Sequence, residues 1–188
     1  MKLETERLVL RDLEEKDIDN ICKNVNELEV SKYLAVVPYP YKKSDAEWWA
    51  NNCIKESQEN PRENYNLGVE YNGEIIGAIG LTKIDYFVKK ATFGLWLGKD
   101  YWRKGIMTEA SNVLFDFAFN ELGLNRIDSA AYVNNESSNK LHKKLGFVYE
   151  GRKRQDSRSK ATGEFHDSNI YGLLKKDWLK NNKPYKKD

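Results

Sequence analysis

An apolar run at residues 91–97 leads into Tyr101-Trp-Arg-Lys-Gly-Ile-Met-Thr-Glu-Ala110, and a long amphipathic segment leaves it. A strand, a glycine turn and a helix start, in that order, form a common cradle for phosphate. The first N–H groups of a helix lack partners within it, and the helix dipole places partial positive charge there. Gly105 lets the backbone approach an anion, and Arg103 and Lys104 add full charges. The helix reads from about residue 105 to 122, with Ile106, Ala110, Val113, Leu114, Phe117 and Ala118 on one face. Glu109, Asn112, Asp116 and Asn120 lie opposite, and Gly123 stops it.

A second strand-to-helix junction follows in Val133-Asn-Asn-Glu-Ser-Ser-Asn-Lys-Leu-His-Lys-Lys-Leu-Gly-Phe147. Asn135 is placed to cap the helix, with Ser138 at its third position. Gly146 and Phe147 read as a left-handed stop with its hydrophobic contact.

The rest of the chain alternates elements without repeats. Residues 7–11 read as a first strand and 14–28 as a helix, followed by a Tyr- and Pro-rich connector at 31–43. Ser44-Asp-Ala-Glu47 reads as a capping box opening the next helix. Strands at 66–71 and 74–83 flank Asn72-Gly73, a strong hairpin signal. Gly77 and Gly80 suggest close backbone approach or a bulge. Strands at 126–133, 147–156 and 164–174 complete the pattern, with a turn at 161–163. The expectation is an α/β chain with mixed strand directions, one domain over 1–180 and a polar tail at 181–188.

A net charge of +2 is too small to argue for nucleic acid. Cys22 and Cys53 form neither a disulfide framework nor a metal-ligand spacing, so no metal is expected. The acidic start, with Glu4, Glu6 and Asp12, does not read as a signal peptide, and apolar runs such as 75–81 are too short to cross a membrane. A cytoplasmic protein is expected.

The two junctions together resemble the GNAT superfamily of acyl-CoA-dependent N-acetyltransferases. Lys104-Gly-Ile-Met-Thr-Glu-Ala110 is similar to its pyrophosphate loop and helix, and Asn135, Ser138 and Leu145-Gly-Phe147 to its second segment. The opening Thr5-Glu-Arg-Leu-Val-Leu-Arg11 and the strand Ala91-Thr-Phe-Gly-Leu-Trp-Leu97 resemble the RimJ/RimL-like branch, which acetylates protein N-termini and some small amines. The resemblance implies a twisted, mostly antiparallel sheet, splayed between two parallel strands at 91–98 and 126–133, with helices on both faces. Coenzyme A's pantetheine arm would pair with the open strand edge.

It also implies acetyl-CoA as the acyl donor. The N–H groups of Arg103, Lys104, Gly105, Ile106, Met107 and Thr108 would take the pyrophosphate, with Asn135, Ser138 and Lys143 nearby. A backbone N–H near Trp96 or Leu97 would serve the developing oxyanion. Trp102, Met107 and Arg103 depart from the family loop pattern while leaving the backbone donors in place.

His142 stands where many relatives carry the tyrosine that protonates the leaving thiolate. It shares a helix face with Ser138, Leu141 and Leu145, so it is either that acid or a buried core histidine. Thr92 replaces the branch's glutamate, leaving no evident base. His166 lies in the last hairpin, where a surface-turn histidine competes with a catalytic one, and Tyr33, Tyr39, Tyr41 and Trp48 either line an acceptor mouth or simply pack. The acceptor is expected to be a primary amine, at a protein N-terminus or on a small molecule such as a polyamine, amino acid or antibiotic. A non-catalytic acyl-CoA-binding module is the remaining alternative. The chain is expected to act as a monomer or homodimer.

Overall fold

The computed structural model describes residues 1–181. One eight-stranded sheet organises them, in the order β1-β2-β3-β4-β5-β6-β8-β7. Its strands are β1 (Lys2–Glu4), β2 (Val9–Arg11), β3 (Tyr65–Tyr71), β4 (Glu74–Asp85), β5 (Lys90–Leu97), β6 (Arg126–Tyr132), β7 (Val148–Arg158) and β8 (Phe165–Leu174). Every neighbouring pair is antiparallel except β5 and β6. Those two run parallel and pair only from Lys90–Arg126 to Thr92–Asp128. Beyond that rung β5 has no ladder partner on the β6 side, so the sheet opens as a V.

Asn72 and Gly73 take φ of 52° and 82°, the mirror-image turn that joins β3 to β4. The β4 glycines mark close approach. A Cβ on Gly77 would lie 2.6 Å from the Trp96 carbonyl oxygen, and one on Gly80 would lie 2.8 Å from that of Tyr65.

Helices cover both faces. Leu10, Leu67, Ile79 and Phe93 of the sheet pack with Leu114, Phe115, Phe119 and Trp178 from α4 (Ile106–Asp116), its π-helical extension (Phe117–Glu121) and α6 (Lys175–Asn181), and with Leu145, which ends α5 (Glu136–Lys144). The opposite face joins Ile75 and Leu13 to Ile21, Val25, Ala46, Ala50 and Cys53 of α1 (Ile18–Val25) and α3 (Lys43–Glu56). Trp96 packs on this second core, while its neighbours Leu95 and Leu97 pack on the first, as strand alternation requires.

Several expected boundaries move. The helix expected at 14–28 is a 3-10 turn at Glu15–Asp17, then α1, then the single turn α2 (Leu28–Ser31). The capping box of α3 uses Lys42 and Asp45, two residues before the Ser44–Glu47 pair: the Asp45 carboxylate accepts the Lys42 N–H at 2.9 Å. Strand β1 and helix α6 were not expected. Of the tail expected at 181–188, residues 182–188 lie outside the described residues.

Candidate active site

The V opens where two helices begin. α4 follows β5 and α5 follows β6, so both helix starts sit at the carboxyl ends of the parallel strands. Ligands of α/β sheets bind at such places.

The expected anion loop is built by left-handed backbone. Arg103 has φ 61°, and Gly105 caps α4 at φ 75°. The first bond of the helix runs from Glu109 N–H to the Gly105 carbonyl, leaving the N–H groups of Ile106, Met107 and Thr108 at the open end. Arg103 and Lys104 are exposed, and the Lys104 ammonium sits 5.4 Å over the Tyr101 ring. Ile106 and Met107 send their side chains into the core, so only their backbones face the loop.

The opening Thr5–Arg7 segment reaches this helix. Thr5 Oγ1 donates to Glu109 Oε1 at 2.5 Å, and Arg7 donates to Glu109 Oε2 and to the Lys104 carbonyl. Burial alone would raise the Glu109 carboxyl, but these hydrogen bonds outweigh it and hold the pKa below its ordinary value. Trp102, a departure from the family pattern, donates its indole N–H to the Leu97 carbonyl at 2.8 Å and so ties the loop to the end of β5.

The ladder decides which β5 groups face the V. Gly98 N–H donates to the Ile76 carbonyl, which sets the phase of the β4–β5 pairing. Trp96 and Gly94 therefore exchange their hydrogen bonds with Ala78 and Gly80, and Leu97, Leu95 and Phe93 turn theirs towards β6. Of the two residues expected to carry the oxyanion donor, Trp96 is excluded because its N–H is used by β4. Leu97 N–H faces the gap, as does Leu95 N–H, which sequence reasoning missed because the register was not visible.

Asn135 caps α5 as expected, its side chain accepting the Ser138 N–H at 3.1 Å. Gly146, at φ 85°, closes the helix with bonds from Gly146 N–H to Lys143 and Phe147 N–H to His142. Lys143 is exposed on α5. Asn139 was missed entirely. Its amide donates to the carbonyls of Tyr132 and Asn135, and its oxygen accepts from Asn169 and the Tyr171 hydroxyl. Nothing in the sequence marks it, because its partners come from three separate elements.

His142 is 3% exposed and faces the core. Its ring stacks on Tyr171 with centroids 4.7 Å apart. Nδ1 lies 2.7 Å from the Ser138 carbonyl, which can only accept, so Nδ1 carries the proton. Nε2, 2.7 Å from Ser129 Oγ, then accepts from that hydroxyl. Burial lowers the His142 pKa, against a smaller opposing pull from the Ser138 carbonyl. A neutral ring with both nitrogens engaged by its own chain offers no proton to a ligand. This is the geometry of a packed, hydrogen-bonded histidine. Ser129 Oγ also lies 3.1 Å from the Phe93 carbonyl, which places the His142–Ser129 pair at the apex of the V.

The other face of β4 and β5 floors a chamber of about 560 Å³. Its floor is a strip of small residues, Ala78, Gly80, Thr82, Thr92 and Gly94, and Trp96, Trp49, Trp48 and Tyr41 wall it. Among the described residues lining it, Asp45 and Lys160 are the only charged ones, and none is a histidine. Of the four aromatics expected near an acceptor mouth, Tyr41 and Trp48 are here, and Tyr33 and Tyr39 are not. His166 stacks on Tyr132 with ring centroids 4.3 Å apart and is not part of this lining.

The acetyltransferase (GNAT) domain family matches residues 7–148. The chain belongs to the GNAT acetyltransferases. It is 34% identical to "Uncharacterized N-acetyltransferase p20" of Bacillus licheniformis, over 94% of this chain and 97% of that protein. It is 32% identical to "Putative ribosomal N-acetyltransferase YdaF" of Bacillus subtilis (strain 168), over 92% of this chain and 94% of that one. A crystal structure of a probable acetyltransferase superposes with a TM-score of 0.80 at 30% identity, covering 95% of this chain and 99% of that one. This GNAT chain is an N-acetyltransferase, and its acyl donor is acetyl-CoA. No helix among the described residues is long and apolar enough to cross a membrane.

Proposed function

We propose that this acetyltransferase acts on the amine at the N-terminus of a protein, as in the RimJ/RimL-like branch. The observation that carries this reading is the sparse charge of the chamber, with one carboxylate, one lysine and no histidine among its described lining. An attacking amine must be neutral. A chain-terminal α-amine has a pKa of about 7.7–8.0 and is substantially neutral near pH 8, whereas a lysine-like amine near 10.4 needs a strong base. A chamber without such a base suits the first and not the second. A polyamine would also bring several cations to a lining whose one carboxylate among the described residues is Asp45, with the like-charged Lys160 also present. The name of the relative YdaF supports a ribosomal protein as the acceptor.

In this reading the N–H groups of Arg103 to Thr108 hold the pyrophosphate, helped by the charges of Arg103, Lys104 and Lys143. Acetyl-CoA supplies the activated acetyl thioester. Leu97 and Leu95 offer N–H groups fixed by the sheet, aimed where negative charge develops on a carbonyl oxygen. Asn135 and Ser138 shape the start of α5 rather than offering free side chains. The attacking amine would arrive from the chamber side of β5; as the amide bond forms, the thioester C–S bond breaks, coenzyme A leaves as its thiolate and the amine's proton leaves to water.

The test is an assay of thiol release with short peptides whose N-termini are free or blocked. Turnover that depends on the free terminus supports the reading. Acetylation confined to small amines, with no peptide accepted, overturns it.

A further inference from the structure

The chamber carries more information than its lack of charge. Gly80 and Gly94 lie directly opposite each other across the β4–β5 ladder and form the centre of its floor. A Cβ built on Gly94 meets nothing within 4 Å, and its φ is not one that demands glycine. Neither backbone conformation nor crowding calls for a glycine at 94, and its effect is to leave the floor bare. Around that floor stand three tryptophans. Trp49 meets Trp96 edge to face at 6.2 Å, and Trp48 is 70% exposed beside them. The connector residues Leu34, Val36, Val37 and Pro38 add apolar surface. The Lys160 N–H, bonded to the Ala35 carbonyl at 3.0 Å, ties the β7–β8 turn to this connector.

A bare floor between aromatic walls leaves room for a bulky apolar group, and an exposed tryptophan at the mouth gains most from being covered by one. A small or charged first residue would leave that space wet. We propose that the acceptor presents a large apolar side chain next to its amine, seated over Gly94 against Trp48, Trp49 and Trp96. In a protein this means a first residue such as methionine, leucine or phenylalanine. A methionine thioether packs especially well on aromatic rings. This specificity rests on the chamber being the acceptor site, as proposed above.

The experiment measures kcat/KM for free-terminus peptides that differ only in the first residue: Met, Leu, Phe, Ala, Ser, Asp and Lys. Phenethylamine and spermidine are assayed alongside, with wild type, Trp48→Ala and Gly94→Val, and acetyl-CoA affinity is followed by calorimetry. The expected result is a preference of about 10-fold or more for Met, Leu and Phe over Ala, Ser and Asp, the size a hydrophobic pocket can deliver. Trp48→Ala should shrink that preference, and Gly94→Val should reverse it by filling the floor, both with acetyl-CoA affinity kept. Equal rates for all first residues, or a preference for Ala or Ser, overturn the apolar specificity and leave the N-terminal function standing. Phenethylamine accepted with no peptide turned over supports the apolar chamber and overturns the protein acceptor. Spermidine preferred over every other acceptor overturns both.

Discussion

Arg7 grips Glu109 across 102 residues of chain, its Nε and Nη2 donating to the same carboxylate oxygen at 2.8 and 2.6 Å. Arg7 also holds the Lys104 carbonyl, so one side chain spans the anion loop and the first turn of α4. Arg7→Ala is expected to weaken acetyl-CoA binding by roughly 5-fold at most, since the pair is solvent-exposed. Calorimetry at low and high salt checks this, and the difference from wild type should narrow as salt rises.

Gly105 caps α4 at φ 75°, where a side chain is strained. Gly105→Val should reduce acetyl-CoA affinity by about 10-fold or more, through this strain and a β-branched side chain at the open helix end. Gly105→Ala should fall between. Equal affinity for all three proteins would displace the pyrophosphate from this loop.

His142→Phe removes both ring nitrogens but keeps a flat ring against Tyr171. Ser129 loses its partner on Nε2 and can turn its hydroxyl to the Phe93 carbonyl. The expected outcome is a stability loss of about 1–2 kcal/mol by denaturant unfolding, with kcat reduced by less than about 10-fold. The pH–rate profile should keep both limbs. Loss of the high-pH limb would instead identify His142 as the acid.

Burial depresses the His142 pKa below its ordinary 6.5, so the unfolded chain binds this proton more readily than the folded one. The resulting stability is fully present above about pH 6.5 and falls as pH drops below that value. Thermal unfolding between pH 7.5 and 5 should show the decline in wild type and a flatter profile in His142→Phe. Parallel curves would assign the decline to other groups.

Asn139 satisfies carbonyls at the end of β6 and the start of α5 while accepting from Tyr171 and Asn169. Asn139→Ala leaves several of these groups unpaired, and a loss of roughly 1–3 kcal/mol is expected, measured by urea unfolding. Asn139→Asp keeps the acceptor but turns a second carboxylate oxygen onto the Tyr132 and Asn135 carbonyls, and should recover none of it.

The sequence by itself determined the elements whose signals are local. The Asn72-Gly73 hairpin, the Gly105 start of α4, the Gly123 stop after its π-helical extension, and the Asn135 and Gly146 caps of α5 each depend on residues within a few positions of one another. Together they were enough to mark two strand-to-helix junctions and the family they resemble. Tertiary structure decided whatever depends on partners far apart in sequence. The phase of the β4–β5 ladder gave the open N–H groups to Leu97 and Leu95 and took Trp96's away, because a one-residue change in register reverses which backbone groups face the gap. The fate of His142 turned on Ser129, 13 residues away on β6, and on Tyr171 of β8. Helical spacing could only say that the histidine pointed inward; what it would find there was set by packing. The chamber follows the same logic. Its floor, walls and rim come from β4, β5, α3, the connector and the β7–β8 turn, and only the folded sheet brings their small and aromatic residues around one space.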